Sequence, residues 1–185
     1  MGTLYRLEPE SSRFTVQAFA AGMLSFLGHS PTFAVRDFDG RLRWDPETPQ
    51  SGELEVTVRA DSLELTDNVR PADRQDIEDR MRREVLEVSA YPEIVLRSTE
   101  IATEPVADRR YRLRVAGELE LHGVTDRVPF DAELRVFDDG VRLTGAFPLR
   151  LSDHRIAPVT ALAGAIRLRD ELRVAFDVAA LREQS

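Results

Sequence analysis

The clearest pattern in the chain is a strict alternation of residue types between Arg112 and Leu121. Every second residue from Leu113 to Leu121 is apolar or glycine, and the residues between them are Arg, Ala or Glu. Successive side chains of a β-strand point to opposite faces, so this period of two predicts a half-buried antiparallel strand. His122-Gly123 follows the run and predicts a turn.

The same period recurs along most of the chain and predicts eight strands in all. In chain order they are expected at residues 13–20, 33–44, 54–60, 94–98, 112–121, 128–136, 141–151 and 166–178. Within the second strand the inward positions change parity around Arg36-Asp37, which predicts a bulge or bend. Turn formers at residues 45–52 and at Asp138-Asp139-Gly140 separate neighbouring strands.

Residues 71–88 follow a longer period and predict a helix. Ile77, Met81, Val85 and Val88 are spaced among Asp, Glu and Arg, which is typical of an amphipathic helix on one surface of a domain. Pro71 suits a first helical position, and Tyr91-Pro92 is expected to end the helix. Residues 22–28 and 152–164 are expected to be irregular connections.

A sheet with one apolar face, closed on itself, explains more residues than any helical interpretation. The sequence therefore predicts one all-β domain over residues 1–185, an eight-stranded antiparallel barrel with one amphipathic α-helix. With 42% hydrophobic and 31% charged residues, the composition is that of neither a disordered nor a membrane-spanning chain.

Composition also excludes several classes of function. The absence of cysteine excludes disulfides, thiolate metal sites and cysteine nucleophiles, and the absence of lysine excludes Schiff-base chemistry. A net charge of −8 with both signs interleaved argues against nucleic acid or an anionic membrane surface as partner. No apolar run approaches the roughly 20 residues of a spanning helix, and the first residues lack an export signal, so we expect a soluble, cytoplasmic protein.

Candidate catalytic chemistry is sparse. His29, His122 and His154 are the only histidines, and their spacing predicts no metal site. Asp153-His154 could join a distant serine, but the chain has no Gly-x-Ser-x-Gly elbow, and it has no glycine-rich phosphate loop. We therefore expect no catalytic residue, no metal and no required cofactor.

Four segments carry a resemblance to a known protein family. They are Phe-Asp-Gly-Arg-Leu-Arg-Trp-Asp at residues 38–45, Ala-Tyr-Pro-Glu-Ile-Val-Leu-Arg-Ser-Thr at 90–99, Val-Ala-Gly-Glu-Leu-Glu-Leu-His-Gly-Val-Thr at 115–125, and the closing strand at 172–181. In these segments the chain resembles the YceI-like proteins, over nearly its whole length. The resemblance implies a lipocalin-like barrel that binds polyisoprenoids or similar amphiphilic lipids, and it also implies a homodimer.

The chain departs from the family pattern at two places. Residues 80–88 keep the family's outline but not its usual Arg-Asp and His-Leu-Arg-Ser wording. Residues 151–156, Leu-Ser-Asp-His-Arg-Ile, stand where the family tends to show arginine and then Asp-Phe-Gly. These departures predict a barrel mouth that differs from the family's.

Whether the barrel is hollow depends on the size of its inward side chains, because an eight-stranded interior can be filled or can hold one small ligand. Small residues are expected at inward positions, which favours a cavity: Ala18, Ala20, Gly40, Ala60, Ser98, Gly117, Ala132 and Gly145. In the alternative interpretation these residues relieve crowding where strands bend. The helix 71–88 and the loop 152–164 are expected to cover the ends of the barrel.

Three functions follow from these alternatives. The first is non-covalent binding, sequestration or carriage of a hydrophobic small molecule: a polyisoprenoid, a quinone or a fatty-acid-like lipid. The second is an enzyme that holds an apolar substrate beside a histidine acting as base or metal ligand. The third is a structural or interaction protein with a solid barrel. For the first function the predicted lining consists of Phe14, Val16, Phe38, Leu42, Trp44, Val56, Val58, Leu96, Leu119, Phe130, Leu143, Phe147, Val174 and Phe176.

Overall fold

The computed structural model of the chain describes residues 2–21, 30–48, 51–161 and 166–183. Most of these residues lie in β-strands, numbered here in chain order. The strands are β1 (Thr3–Leu7), β2 (Arg13–Gln17), β3 (Ala20–Ala21), β4 (Thr32–Val35), β5 (Phe38–Trp44), β6 (Glu53–Arg59), β7 (Leu63–Leu65), β8 (Glu93–Ala107), β9 (Arg110–Leu121), β10 (Val124–Val136), β11 (Gly140–Arg150), β12 (Thr160–Ala161), β13 (Ile166–Leu168) and β14 (Glu171–Arg182).

Eleven of the strands form one antiparallel sheet that closes into a barrel of eight strand positions. Three positions are each occupied by two consecutive segments, β1 with β2, β4 with β5, and β6 with β7. The long strand β14 closes the ring, because its last residues pair with β1 and its first residues pair with β2. The predicted eight-stranded antiparallel barrel is therefore confirmed. Three short strands, β12, β13 and β3, form a separate small sheet.

Interruptions within strands account for most differences from the predicted boundaries. The predicted change of parity at Arg36-Asp37 is confirmed, since it divides β4, which pairs with β7, from β5, which pairs with β6. A second bulge lies between Ser98 and Glu100 in β8, where the Leu54 N–H donates a hydrogen bond to Ser98 Oγ at 2.8 Å. After this bulge the odd-numbered residues face inward instead of the even-numbered ones. The alternation used for the prediction therefore stops at residue 98, although β8 continues to Ala107.

The first and last strands also differ from their predicted bounds. The opening strand β1 was not counted from the sequence, and β14 begins at Glu171 rather than at residue 166. Asp170 sets this start: its carboxylate accepts hydrogen bonds from the Ser152 N–H (2.8 Å) and the Ser152 hydroxyl (2.5 Å), and its carbonyl accepts one from Leu151. The predicted segment 22–28 and His29 lie outside the described residues, and so does part of the predicted loop 152–164.

The predicted helix is shorter than expected. The α-helix α1 covers Pro71–Arg80, with Pro71 at its predicted first position, and a π-helical turn follows at Met81–Val85. Helix α1 itself contains no fully buried residue, but Ile77 is partly buried against the core, and so are Val85 and Val88 further along the chain. Met81 is buried, and so is Leu86 directly after the turn. The four predicted apolar positions therefore do face the core, although only Ile77 lies within α1. No helix in the described ranges is long and apolar enough to cross a membrane.

Polar side chains attach α1 and the π turn to the neighbouring strand β7. The Leu65 N–H donates to Glu78 Oε1 at 2.9 Å, and Arg74 donates to the Leu65 carbonyl. Arg82 donates to the Leu63 carbonyl at 3.2 Å. Among the described residues β7 pairs with a strand only on its β4 side, so these side chains satisfy backbone groups along its other edge.

One end of the barrel is filled by aromatic and aliphatic side chains. The rings of Trp44 and Tyr111 meet edge to face with centroids 4.8 Å apart, and Trp44 Nε1 donates to Thr103 Oγ1 at 3.2 Å. Two strands separate β5 from β9 in the sheet order, so the Trp44–Tyr111 contact crosses the interior. We call Trp44, Thr103 and Tyr111 the floor of the barrel.

Because Trp44 in the floor is 0% exposed, we expect it to contribute strongly to the free energy of unfolding. Trp44→Ala should lower the free energy of unfolding by about 3–5 kcal/mol, because it leaves a cavity between packed strands. The matched control is Arg43→Ala, which removes an exposed guanidinium 4.0 Å from Glu53 and should cost less than about 1 kcal/mol. Urea unfolding measures both variants, and similar losses in the two would contradict a packed floor.

Candidate ligand cavity

A cavity of about 150 Å³ lies inside the barrel. The floor separates it from the end of the barrel at which β5 ends with Trp44. All of its lining side chains are Leu, Val, Ile or Phe, and they come from strands on every side of the ring. The cavity contains no ionisable or hydrogen-bonding side chain among its described lining residues. Only an apolar group could occupy it without losing hydrogen bonds to water.

The cavity is long and narrow rather than round. On β14 it is lined by Leu172, Val174, Phe176 and Val178, and these positions span about 20 Å of extended strand. A volume of about 150 Å³ is close to that of an engineered apolar cavity that holds benzene, and it is below the ~300 Å³ of ordinary ligand pockets. The shape therefore suits a slender hydrocarbon chain.

Eleven of the fourteen residues predicted as lining do line this cavity. They are Phe14, Val16, Val56, Val58, Leu96, Leu119, Phe130, Leu143, Phe147, Val174 and Phe176. The structure brings them together because they occupy inward positions in strands that adjoin around the ring. Contact of these side chains with a ligand stays a prediction.

The structure places the other three predicted residues, Phe38, Leu42 and Trp44, outside the cavity lining. Trp44 belongs to the floor, and Leu42 is fully buried two residues before it in β5. Phe38 packs edge to face against Phe14, with ring centroids 4.8 Å apart. All three are inward and buried as expected, but protein side chains already surround them.

Eleven further lining residues were not predicted: Leu7, Val35, Leu54, Leu63, Leu86, Ile94, Leu121, Leu149, Leu151, Leu172 and Val178. Seven of these continue the same inward parity as predicted neighbours, as Leu172 does with Val174, so the alternation itself could have identified them. The other four, Leu7, Val35, Leu63 and Leu86, lie in short or non-strand segments. Val35 alternates with Phe33 in the predicted second strand, but the sequence pattern carries no such signal for Leu7, Leu63 and Leu86.

The sequence predicted that small inward residues leave room for the cavity, but the inward glycines do not. A Cβ at Gly145 would lie 2.5 Å from the Phe176 ring and 2.7 Å from the Asp131 carbonyl oxygen. A Cβ at Gly40 would lie 2.5 Å from the Glu55 carbonyl oxygen, and Gly117 is similarly crowded. These glycines permit close approach of neighbouring strands, so the alternative interpretation of crowding is the correct one for them.

The two described histidines lie outside the cavity lining. The ring of His122, in the β9–β10 turn, hydrogen-bonds through Nε2 to the Glu87 carboxylate and packs on Tyr91 with ring centroids 4.5 Å apart. His154 is 0% exposed, and its Nδ1 donates to the Val124 carbonyl at 3.0 Å. Within the described ranges, His154 Nε2 is buried without a hydrogen-bond partner, and no group of three or more potential metal ligands occurs.

Two groups of paired charges lie on the outer face of the barrel. The Arg142 guanidinium donates a hydrogen bond to the Asp177 carboxylate and lowers the pKa of that carboxyl group. Hydrogen bonds from Arg110 and then Arg135 lower the pKa of Glu133 in the same way. These partly exposed pairs lie on the outer faces of β9, β10, β11 and β14, so they do not bring charge into the cavity.

Close packing at Gly145 predicts that the position tolerates no larger side chain. Gly145→Leu should lower the free energy of unfolding by about 1–3 kcal/mol, because the added atoms meet Phe176 and the β10 backbone. Thr144→Leu, one residue away on the exposed face, is the matched control and should stay within about 0.5 kcal/mol. If chemical denaturation finds Gly145→Leu as stable as the unmodified chain, there is spare room at Gly145 after all.

Comparison with solved structures shows the same fold in proteins of low sequence identity. Burkholderia cenocepacia BcnA matches with a TM-score of 0.72 at 17% identity, covering 94% of this chain and 98% of that one. A polyisoprenoid binding domain from Saccharophagus degradans matches with a TM-score of 0.69 at 13% identity, covering 99% and 100% of the two chains. The Campylobacter jejuni YceI protein matches with a TM-score of 0.62 at 16% identity, covering 81% and 84%.

Sequence comparison identifies relatives in several bacteria. A UPF0312 protein of Pseudomonas putida is 32% identical over 140 residues, which are 71% of this chain and 62% of the relative. The YceI protein of Salmonella arizonae is 27% identical over 131 residues, 70% of this chain and 61% of that protein. The matches thus span about three fifths of these relatives' lengths. The model of the YceI-like domain matches residues 5–180, and the chain belongs to this family.

Proposed function

We propose that the chain binds the hydrocarbon tail of a polyisoprenoid or similar amphiphilic lipid, without a covalent bond, inside the barrel. The observation that carries this proposal is the cavity, whose described lining is entirely apolar. Each buried CH₂ group contributes roughly 0.8 kcal/mol, so a five-carbon isoprene unit contributes a few kcal/mol before the cost of ordering the tail. Apolar contact is then sufficient for binding.

The family supports an isoprenoid tail as the occupant. The structural neighbour from Saccharophagus degradans is a polyisoprenoid binding domain, and its fold is shared over 99% of this chain. A quinone carries a similar isoprenoid tail, and a fatty-acid-like lipid has a tail of similar width, so both belong to the same proposed ligand class. Sequestration or carriage of such a lipid is the role that a closed apolar container suits.

The closed floor sets the direction in which the tail lies. Trp44 and its partners fill the barrel below the cavity, so the tail's end is expected to lie toward them and the polar head away from them. The head then reaches water, where its hydrogen bonds remain satisfied. Since the described lining offers no charged partner, the proposed selectivity depends on the tail.

The two alternative functions receive less support. A solid barrel leaves the cavity of about 150 Å³ without an explanation. An enzyme needs a general base within hydrogen-bonding reach of its substrate, whereas His122 and His154 lie outside the cavity lining and are engaged with Glu87 and Val124. We therefore propose binding without catalysis. The cytoplasmic location, the homodimer and the absence of nucleic-acid binding stay predictions.

Filling the cavity should weaken binding. Val174→Phe places a ring in the available space and should raise the Kd for farnesol at least about tenfold, which corresponds to about 1.4 kcal/mol. Arg173→Phe, the adjacent residue on the exposed face, is the matched control and should leave the Kd unchanged. Isothermal titration calorimetry measures both, and equal affinity in the two variants would place the tail elsewhere.

A co-purifying lipid would test the proposal without any choice of probe. After gentle purification from a bacterial host, native mass spectrometry should show the chain with an added mass that organic extraction identifies as an isoprenoid or related lipid. The Val174→Phe variant, purified in parallel, should carry less of it. An unmodified chain that carries no lipid and also fails to bind added farnesol would contradict the proposal.

A further inference from the structure

The ladder between β10 and β11 stops halfway along these strands. It runs from Val136 paired with Val141 to Ala132 paired with Gly145. On their other sides the same strands stay paired much further, β10 with β9 up to Val124 and β11 with β14 up to Arg150. The barrel wall therefore contains a gap, which we call the seam, between residues 125–131 of β10 and residues 146–150 of β11.

The sequence of both strands suits an open seam. Pro129 lies in the unpaired stretch of β10 and Pro148 in that of β11, and both pair on their other side, with Ala116 and Arg173. Proline has no backbone N–H to donate to a ladder, so it is normally confined to the unpaired side of strands. The two prolines thus disfavour a continuous ladder at this place.

His154 bounds the seam at its other end. Its Nδ1 donates to the carbonyl of Val124, which is the first residue of β10, while His154 itself follows the end of β11. The seam therefore lies between two points at which the strands are joined, the Ala132–Gly145 pair and the His154–Val124 hydrogen bond. Holding the end of the seam gives the fully buried His154 a structural role outside the cavity lining.

Two phenylalanine rings fill the seam from the inside. Phe130 and Phe147 are stacked with centroids 5.2 Å apart and planes inclined by 28°, and both are 8% exposed. Both rings line the cavity, and both also line a groove on the outer face of the barrel. A single layer of two side chains therefore separates the cavity from the outside at this point.

The outer groove is larger than the cavity. Its volume is about 570 Å³, against about 150 Å³ for the cavity. Pro129, Ala146 and Pro148 contribute apolar surface beside the seam, and the exposed side chains of Arg114 and Asp131 bring charge to its margin. An amphiphile with a long tail would find apolar surface close to the seam and polar groups at the edge.

We propose that the seam is a lateral opening through which a lipid tail enters the cavity, and that the part of a long tail which the cavity cannot hold lies in the outer groove. This inference rests on the proposed function. Rotation of two aromatic side chains suffices to connect the two spaces, because the described seam has no backbone ladder to break. Entry past α1 would instead require breaking the hydrogen bonds that join Arg74, Glu78 and Arg82 to the backbone of β7.

A cross-link over the seam tests the route of entry. The chain contains no natural cysteine, so the double variant Asp131→Cys/Ala146→Cys offers a disulfide that closes the seam from the outer face. The control, Arg135→Cys/Arg142→Cys, joins two residues that already oppose each other in the paired half of the same strands. Farnesol uptake is followed by the fluorescence of Trp44, the only tryptophan, which lies in the floor.

The oxidised seam variant should take up farnesol about tenfold more slowly than its reduced form, as expected when an entry gate is locked. Reduction should restore the rate, and the oxidised control should behave like the unmodified chain. Equal uptake rates for the oxidised and reduced seam variant, with the disulfide confirmed by mass spectrometry, would overturn the lateral route. A failure of the unmodified chain to bind farnesol at all would instead contradict the proposed function.

A second pair of variants tests the groove without a cross-link. Ala146→Phe fills the groove, whereas Thr144→Phe places the same ring on the same outer face, two residues away and outside the groove lining. Ala146→Phe should weaken the binding of solanesol, a long-tail probe, about tenfold relative to Thr144→Phe, because the added ring occupies the groove in which the excess tail is proposed to lie. Unchanged solanesol binding in Ala146→Phe would overturn the assignment of the groove.

Discussion

Closure of the sheet is the constraint on which the rest of this molecule depends. Once eight strand positions form a ring, every second side chain must point into a space of fixed width, whatever its size. Around Trp44 the inward side chains are large enough to meet across that space, as the Trp44–Tyr111 contact shows. Further along the same strands the inward side chains are leucine, valine and phenylalanine, and they leave a narrow channel. One ring thus produces a packed end and a hollow part.

The two ends of the barrel are held by different kinds of interaction. The floor is mostly apolar, and its polar atoms are hydrogen-bonded to one another, as in the Trp44–Thr103 pair. Opening the floor would expose apolar surface to water, which is unfavourable. At the other end, Arg74, Glu78 and Arg82 bind backbone groups of β7, and Glu87 binds His122. Such partly exposed hydrogen bonds contribute only about 1 kcal/mol each, because water can replace them. Rigidity is therefore concentrated where no ligand needs to pass.

The alternation of residues was sufficient to predict the barrel and most of the cavity lining. A period of two depends only on which face each residue occupies, so Leu119, Phe130 and Val174 could be assigned to the interior from the sequence. Where the chain breaks this period, the cause lies in contacts between distant segments. The bulge after Ser98 accepts a hydrogen bond from Leu54, and the turn at Asp170 is held by Ser152. The crowding at Gly145 by Phe176 likewise lies between strands, so residue size alone suggested space that is not there.

The central claim is that an apolar tail occupies the channel beside Trp44. A crystal structure of the chain saturated with farnesol tests it most directly. The account predicts continuous density for the tail among Val174, Phe176 and Leu119, with the end of the tail on the floor side of the cavity and the hydroxyl group pointing away from the floor. Density confined to the outer surface, with ordered water or side chains in the channel, would contradict the account.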